Sequence, residues 1–206
     1  MTKAPALSHE ASQLRTRLGK GARFDAECVP ALPLRLARHG MAYFARQLNA
    51  LSDEALLGPS RIAGWNRAQV VAHVCIEARA QALGLAALRG QTLDEEFDWD
   101  PDIDLTATLP PRALRHLFDH AHVHVNVEWR DLATADWANM VTLPTAERLA
   151  ARGLPGRQAR LLWWGAVALN ASAAEGEIPA GVTPPEGPLA ALGQLHKPNR
   201  TKGSAA

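Results

Sequence analysis

Three stretches of this chain repeat apolar residues at the three- and four-residue steps of an amphipathic helix, and this periodicity limits the possible folds most. They predict helices over about residues 31–51, from after Trp65 to Arg89-Gly90, and over about 112–131. A weaker pattern over about 157–176 predicts a fourth helix. No stretch alternates as a strand does, so we predict an all-α protein, most simply an antiparallel bundle.

The breaks between these patterns divide the chain into three parts. We predict a flexible N-terminal arm over 1–29, a helical bundle over 30–176 and a Gly/Pro-rich, irregular tail over 177–206. The second helix has a clear start, since Asn66 is a good N-cap and Gln69 stands where a capping-box partner belongs. The acidic run within 94–104 is predicted to be a solvated loop.

Charge and cysteine content narrow the functional classes. The 206 residues carry a formal net charge of +1, so we predict neither a nucleic-acid partner nor an acidic membrane surface. No apolar run approaches the roughly 20 residues of a membrane span. Two cysteines and no recognisable secretory signal favour a reducing cytoplasm, and they are too few for a Cys-rich metal site.

Two groups of polar residues are candidate metal ligands. His73 lies four residues before Glu77 on the second helix, so imidazole and carboxylate can face the same way and share a metal. His116, His120 and His124 are also spaced by four, on the third helix. The alternatives are a hydrogen-bonded core histidine at 73 and a solvated polar stripe on the third helix.

The residues also resemble a known family. The stretches "LARHGMAYFARQL", "PSRIAGWNRAQVVAHV" and "LRHLFDHAHVHVNVEWRDL" are similar, in order and spacing, to the mycothiol-dependent maleylpyruvate isomerases over roughly residues 32–165. The resemblance implies a DinB-like four-helix bundle, zinc and the thiol cofactor mycothiol. It also implies cis–trans isomerisation of maleylpyruvate to fumarylpyruvate, in which adding a thiolate makes the double bond single and lets it rotate.

The chain departs from the family in its metal ligands. The resemblance assigns one ligand to His73, but the Glu and His expected on the fourth helix fall on Ala166 and Asn170. A catalytic zinc normally has three protein ligands. Either the site is rebuilt from His73 and Glu77 with His120 or His124, or the chain keeps the bundle without catalysis.

Three functional hypotheses follow from these observations. The chain is a thiol-dependent isomerase with zinc or another divalent metal and a small-molecule substrate, or a non-catalytic bundle that binds a small acidic ligand or a partner protein. In the third hypothesis, an apolar patch pairs two chains as a homodimer. The alternative is that the same patch completes the core of a single chain. The patch residues are Leu161, Leu162, Trp163 and Trp164.

Overall fold

The computed structural model describes residues 25–91, 99 and 101–190, and over these residues the protein is mostly helical. Four long helices form its framework, with two short helices and one small sheet between them. The elements are α1 (Ala31–Asn49), α2 (Asp53–Leu56), α3 (Arg67–Leu88), α4 (Ile103–Ala107), α5 (Pro111–Asp131), β1 (Met140–Thr142), β2 (Arg148–Ala150) and α6 (Leu154–Ala168).

The turn before α3 forms as the sequence predicts. Asn66 and Gln69 make a reciprocal capping box, in which each side-chain oxygen accepts from the other residue's backbone N–H at 2.7–2.8 Å. Upstream, the Ser60 hydroxyl donates to the Trp65 carbonyl at 2.9 Å, and Gly64 has a φ of 80° that favours glycine. The predicted start of this helix is therefore confirmed.

Helix α6 starts and ends earlier than the periodicity predicts. Pro155 lies in its first turn, where a missing N–H costs little, and the helix ends at Ala168. Asn170 has a φ of 50°, a left-handed conformation that asparagine tolerates at helix ends. The Arg67 guanidinium donates to the carbonyls of Leu169 and Asn170, so the first residue of α3 caps the end of α6.

The long helices do not simply alternate in direction. Arg89 near the end of α3 pairs with Glu128 near the end of α5, so these two helices run parallel. Helices α1 and α6 also run parallel, since the start and end of one lie beside the start and end of the other. The connection over residues 89–110 has 22 residues and is long enough to cross the molecule. It therefore permits α3 and α5 to run parallel, whereas in a simple antiparallel bundle these consecutive long helices would run in opposite directions.

A two-stranded antiparallel hairpin joins α5 to α6, and no sequence pattern predicts it. Met140, Val141 and Thr142 pair with Ala150, Leu149 and Arg148. Each strand has only three residues, too few for an alternating pattern to be read. The hairpin corrects the all-α prediction, and its turn carries Glu147 towards the helices.

The ends of the described chain are packed against the helices. Asp25 accepts two hydrogen bonds from Arg38 on α1. In the predicted tail, Leu189 is fully buried and the Trp164 indole donates to the Val182 carbonyl at 3.4 Å. Residues 177–190 are thus irregular but attached to α6. The rest of the arm and tail, and most of the acidic run, lie outside the described residues.

The predicted dimer patch belongs to the chain's own core. All four of its side chains are less than 10% exposed, so they complete the interior and present no apolar surface to a second chain; they are Leu161, Leu162, Trp163 and Trp164. Helix α3 is long and apolar enough to cross a membrane, but 78% of its most apolar window is buried, as in the central helix of a protein core.

Gly84 on α3 provides a test of how tightly the hairpin packs. A Cβ there would lie 2.7 Å from Val141 Cγ1 and 3.0 Å from the Thr142 carbonyl oxygen, which cannot move without shifting the strand. We expect Gly84→Ala to lower the free energy of unfolding by about 1–2 kcal/mol, although alanine is the better helix former.

Gly156→Ala is the matched control, because a Cβ at Gly156 meets only ordinary contacts at 3.8–3.9 Å. That change should raise the free energy of unfolding by roughly 0.5–1 kcal/mol. Urea denaturation of both variants measures the difference, and equal stabilisation by the two would show that the hairpin does not pack closely on α3.

Candidate functional site

One pocket of about 590 Å³ lies where α3, α6, the hairpin and the returning tail meet. Its polar wall combines an imidazole, carboxylates and two guanidinium groups, which makes it the best candidate for a binding site among the described residues. The lining residues are His73, Glu77, Glu147, Leu149, Ala150, Gly153, Arg157, Arg160, Leu161, Pro185, Glu186, Gly187 and Pro188.

His73 lies at the inner wall of this pocket. Its side chain is only 9% exposed, and its ring meets the edge of Trp65 at 5.7 Å between centroids. Burial lowers the pKa of His73, Glu77 opposes that shift, and the Arg157 guanidinium adds to it. The ring is therefore neutral at pH 7 and can both donate and accept a hydrogen bond.

Glu77, one helical turn after His73, is held by a guanidinium. Arg157 Nη2 and Nε lie 2.9 and 3.2 Å from Glu77 Oε2, while Arg157 Nη1 lies 2.8 and 2.9 Å from the two oxygens of Glu147. Burial lowers the pKa of Arg157, but the two carboxylates raise it by more. The three side chains join α3, α6 and the hairpin turn.

Arg160 supplies a second guanidinium one turn further along α6. It is half-buried in the pocket wall and has no ion pair among the residues that the structure describes. Glu186 of the tail also lines the pocket but is exposed to solvent. Arg160 is therefore the positively charged group most available to a molecule entering the pocket.

These residues do not fit the three-ligand zinc site that the resemblance implies. Leu161, which offers no ligand atom, is the α6 residue that lines the pocket beside Arg157 and Arg160. Ala166 and Asn170 do not line it, and Asn170 instead accepts a hydrogen bond from Arg61 beyond the helix end. Within the described residues, no three His, Cys, Asp or Glu side chains are placed to hold one metal.

The four predicted metal ligands separate into two pairs. His73 and Glu77 line the pocket together, as their spacing predicts. His120 is exposed on α5, and His124 lies 3.4 Å from Glu128 on the same helix. Neither His120 nor His124 lines the pocket. The structure thus brings together His73 and Glu77 on α3, but it does not add His120 or His124 to them.

The buried histidine of α5 is His122, which was not among the predicted metal ligands. Its Nδ1 lies 2.8 Å from the Phe118 carbonyl and its Nε2 lies 3.1 Å from Gln158 Nε2, which places it in the core. Residues advance by about 100° each around a helix, so His120 and His124 lie about 200° from His122 and face outward. The spacing of His122 from Phe118 and Val125 is the signal that would have identified it.

Three charged residues of the pocket wall, Glu147, Arg157 and Arg160, were not among the predicted site residues. Arg157 and Arg160 are three apart in a predicted helix, and that spacing could have placed them on one face. Glu147 gave no such signal, since only the hairpin brings it to the pocket.

Comparison with known proteins identifies one family model and two crystal structures that are similar to this chain. A family model described as the mycothiol maleylpyruvate isomerase N-terminal domain matches residues 37–164. The fold is similar to crystal structures of the mycothiol-dependent maleylpyruvate isomerase and of a mutant of it, at 29% and 28% identity and a TM-score of 0.64. Both matches cover 72% of this chain and 64% of the other, so the chain spans less than two thirds of either relative. No curated protein matches the chain.

The buried His122 predicts a loss of stability in acid. Burial lowers the pKa of His122 to about 4, although the hydrogen bond with Phe118 opposes this shift. The unfolded chain takes up a proton near pH 6.5 and the folded chain only near pH 4, so acid favours unfolding across that window. We expect His122 to account for a loss of about 2–3 kcal/mol between pH 7.5 and 4.5.

Urea denaturation at several pH values tests this expectation. His122→Gln should flatten the pH dependence, while the exposed control His120→Gln should keep the wild-type slope. His73 contributes similarly in both variants, because burial lowers its pKa too. If His122→Gln retained the full wild-type slope, the loss of stability would have to arise elsewhere.

Proposed function

Because the chain belongs to the mycothiol maleylpyruvate isomerase N-terminal domain family, we propose that its pocket binds a small organic carboxylate. The observation that carries this proposal is Arg160, a half-buried residue that lines the same pocket as His73 and has no ion pair among the described residues. A guanidinium binds a carboxylate through two parallel hydrogen bonds. In this proposal the four long helices form the DinB-like bundle that holds the pocket.

The charges in the pocket support a carboxylate at this particular place. Glu77 and Glu147 are both bound by Arg157, so neither competes directly for Arg160. Glu186 is exposed at the pocket surface, where water and salt screen its charge. The neutral His73 adds a hydrogen bond without adding charge, and Leu161 with Pro185 and Pro188 supplies apolar contact.

Family membership favours a second candidate, a thiol-dependent cis–trans isomerase that acts on such a carboxylate with mycothiol. The related crystal structures are named as mycothiol-dependent maleylpyruvate isomerases, and maleylpyruvate is itself a carboxylate. A neutral imidazole can accept the proton of a thiol S–H, which releases the nucleophilic thiolate. His73 would serve in that role, and the protein would act in the cytoplasm on small molecules.

An activity assay distinguishes the two candidates. Full-length protein is mixed with maleylpyruvate and mycothiol in the presence of a chelator, and the formation of fumarylpyruvate is followed. Conversion that is lost in His73→Ala would support the isomerase. Carboxylate binding without conversion would support a binding protein.

Replacing Arg160 tests the carboxylate site itself. We expect Arg160→Gln to weaken binding of maleate or fumarate at least tenfold, since a charge-assisted pair contributes about 1.5–3 kcal/mol. Isothermal titration calorimetry on the full chain measures the change. The neutral diamide of fumarate should bind poorly to both the wild type and the variant.

Arg112→Gln is the matched control. Arg112 is exposed in the first turn of α5 and does not line the pocket, so its loss removes the same charge from the protein elsewhere. It should leave the affinity for maleate within about twofold of wild type, because exposed charges are screened. Equal affinities for the Arg160 and Arg112 variants would contradict the proposed site.

A further inference from the structure

The Arg157 guanidinium bridges two carboxylates that belong to different elements of the fold. Its Nη2 and Nε contact one oxygen of Glu77, and its Nη1 contacts both oxygens of Glu147, all at 2.8–3.2 Å. One planar cation therefore binds both carboxylates at once, with Glu77 on its α3 side and Glu147 on its hairpin side.

The groups around this cation have the chemistry of a metal site. His73 offers a neutral imidazole one turn before Glu77, and both line the pocket with Glu147. One imidazole and two carboxylates are three protein ligands of the kinds that bind zinc in open sites. In the described structure they are nevertheless not placed to share a metal, and the guanidinium of Arg157 binds both carboxylates.

We propose that Arg157 is a built-in cation that takes the place of a divalent metal in this pocket. Its single positive charge attracts both Glu77 and Glu147 and leaves the three groups with a net charge of −1, and its position between them keeps their oxygens from converging on one ion. Arginine suits this role because it stays protonated and its planar fork serves two carboxylates. The pocket is then independent of zinc, and Arg157 is the residue that determines this.

This inference is separate from carboxylate binding at Arg160. Arg157 can exclude metal whether or not a ligand binds at Arg160, and the test measures metal binding alone. Failure of one proposal therefore leaves the other intact.

Removing the guanidinium should convert the pocket into a metal site. We expect full-length Arg157→Gln to bind one Zn²⁺ per chain, with an affinity at least tenfold above wild type by calorimetry. Zinc should also raise the Tm of this variant and leave that of the wild type unchanged, since a ligand that binds only the folded state stabilises it.

Two further variants make the result specific. Arg160→Gln removes the same charge from the same pocket but frees no carboxylate, so it should bind zinc no better than wild type. Adding Glu77→Gln to Arg157→Gln should abolish the gain, because one of the three ligands is lost. A gain in both single variants would mean that net charge alone controls metal binding, which would overturn the proposal.

The wild-type protein provides a test that needs no variant. Stoichiometric zinc in the purified chain, lost on His73→Ala, would overturn the proposal directly. If Arg157→Gln does not fold, Arg157→Lys keeps a charge but cannot serve both carboxylates, and it should show a weaker gain of zinc affinity. Failure of every folded Arg157 variant to gain zinc would also overturn the proposal.

Discussion

The close approach of α1 to α6 is the constraint on which the rest of the structure depends. A Cβ on Gly40 would lie 3.0 Å from Leu162 Cβ, and one on Gly165 would lie 3.0 Å from Phe44. Because glycines allow this contact, α6 lies deep in the core with its tryptophans buried. The hairpin before it and the tail after it then pack around the same helix, and these are the segments that surround the pocket.

The residues that α6 presents to the pocket determine what His73 and Glu77 on α3 can bind. His73 and Glu77 keep a spacing suited to metal binding, but α6 presents two arginines and Leu161 to them. Glu77 is bound by the Arg157 guanidinium, which it shares with Glu147, whereas a carboxylate beside an imidazole and free of such a cation can contribute to a metal site. The helix that faces α3 therefore determines which kind of site is present.

The sequence predicted the parts of this structure that depend on local pattern. The capping box at Asn66 is confirmed, and His73 lies in the pocket as its place on α3 suggested. The hairpin and its Glu147 were missed because three-residue strands leave no periodic signal. The burial of His122 was not predicted, because the candidate ligands His120 and His124 lie on the opposite face of the helix. The antiparallel arrangement predicted for the helices was wrong for two pairs, since a connection as long as 89–110 permits a parallel pair.

The hydrogen bonds between the start of α3 and the end of α6 have a consequence for how the chain folds during synthesis. Arg61 N–H donates to the Ala168 carbonyl at 2.9 Å, and the Arg67 guanidinium donates to the Leu169 carbonyl. The turn that precedes α3 is synthesised about a hundred residues before these partners. Until α6 leaves the ribosome, the wall that carries His73 has no partner helix to close the pocket.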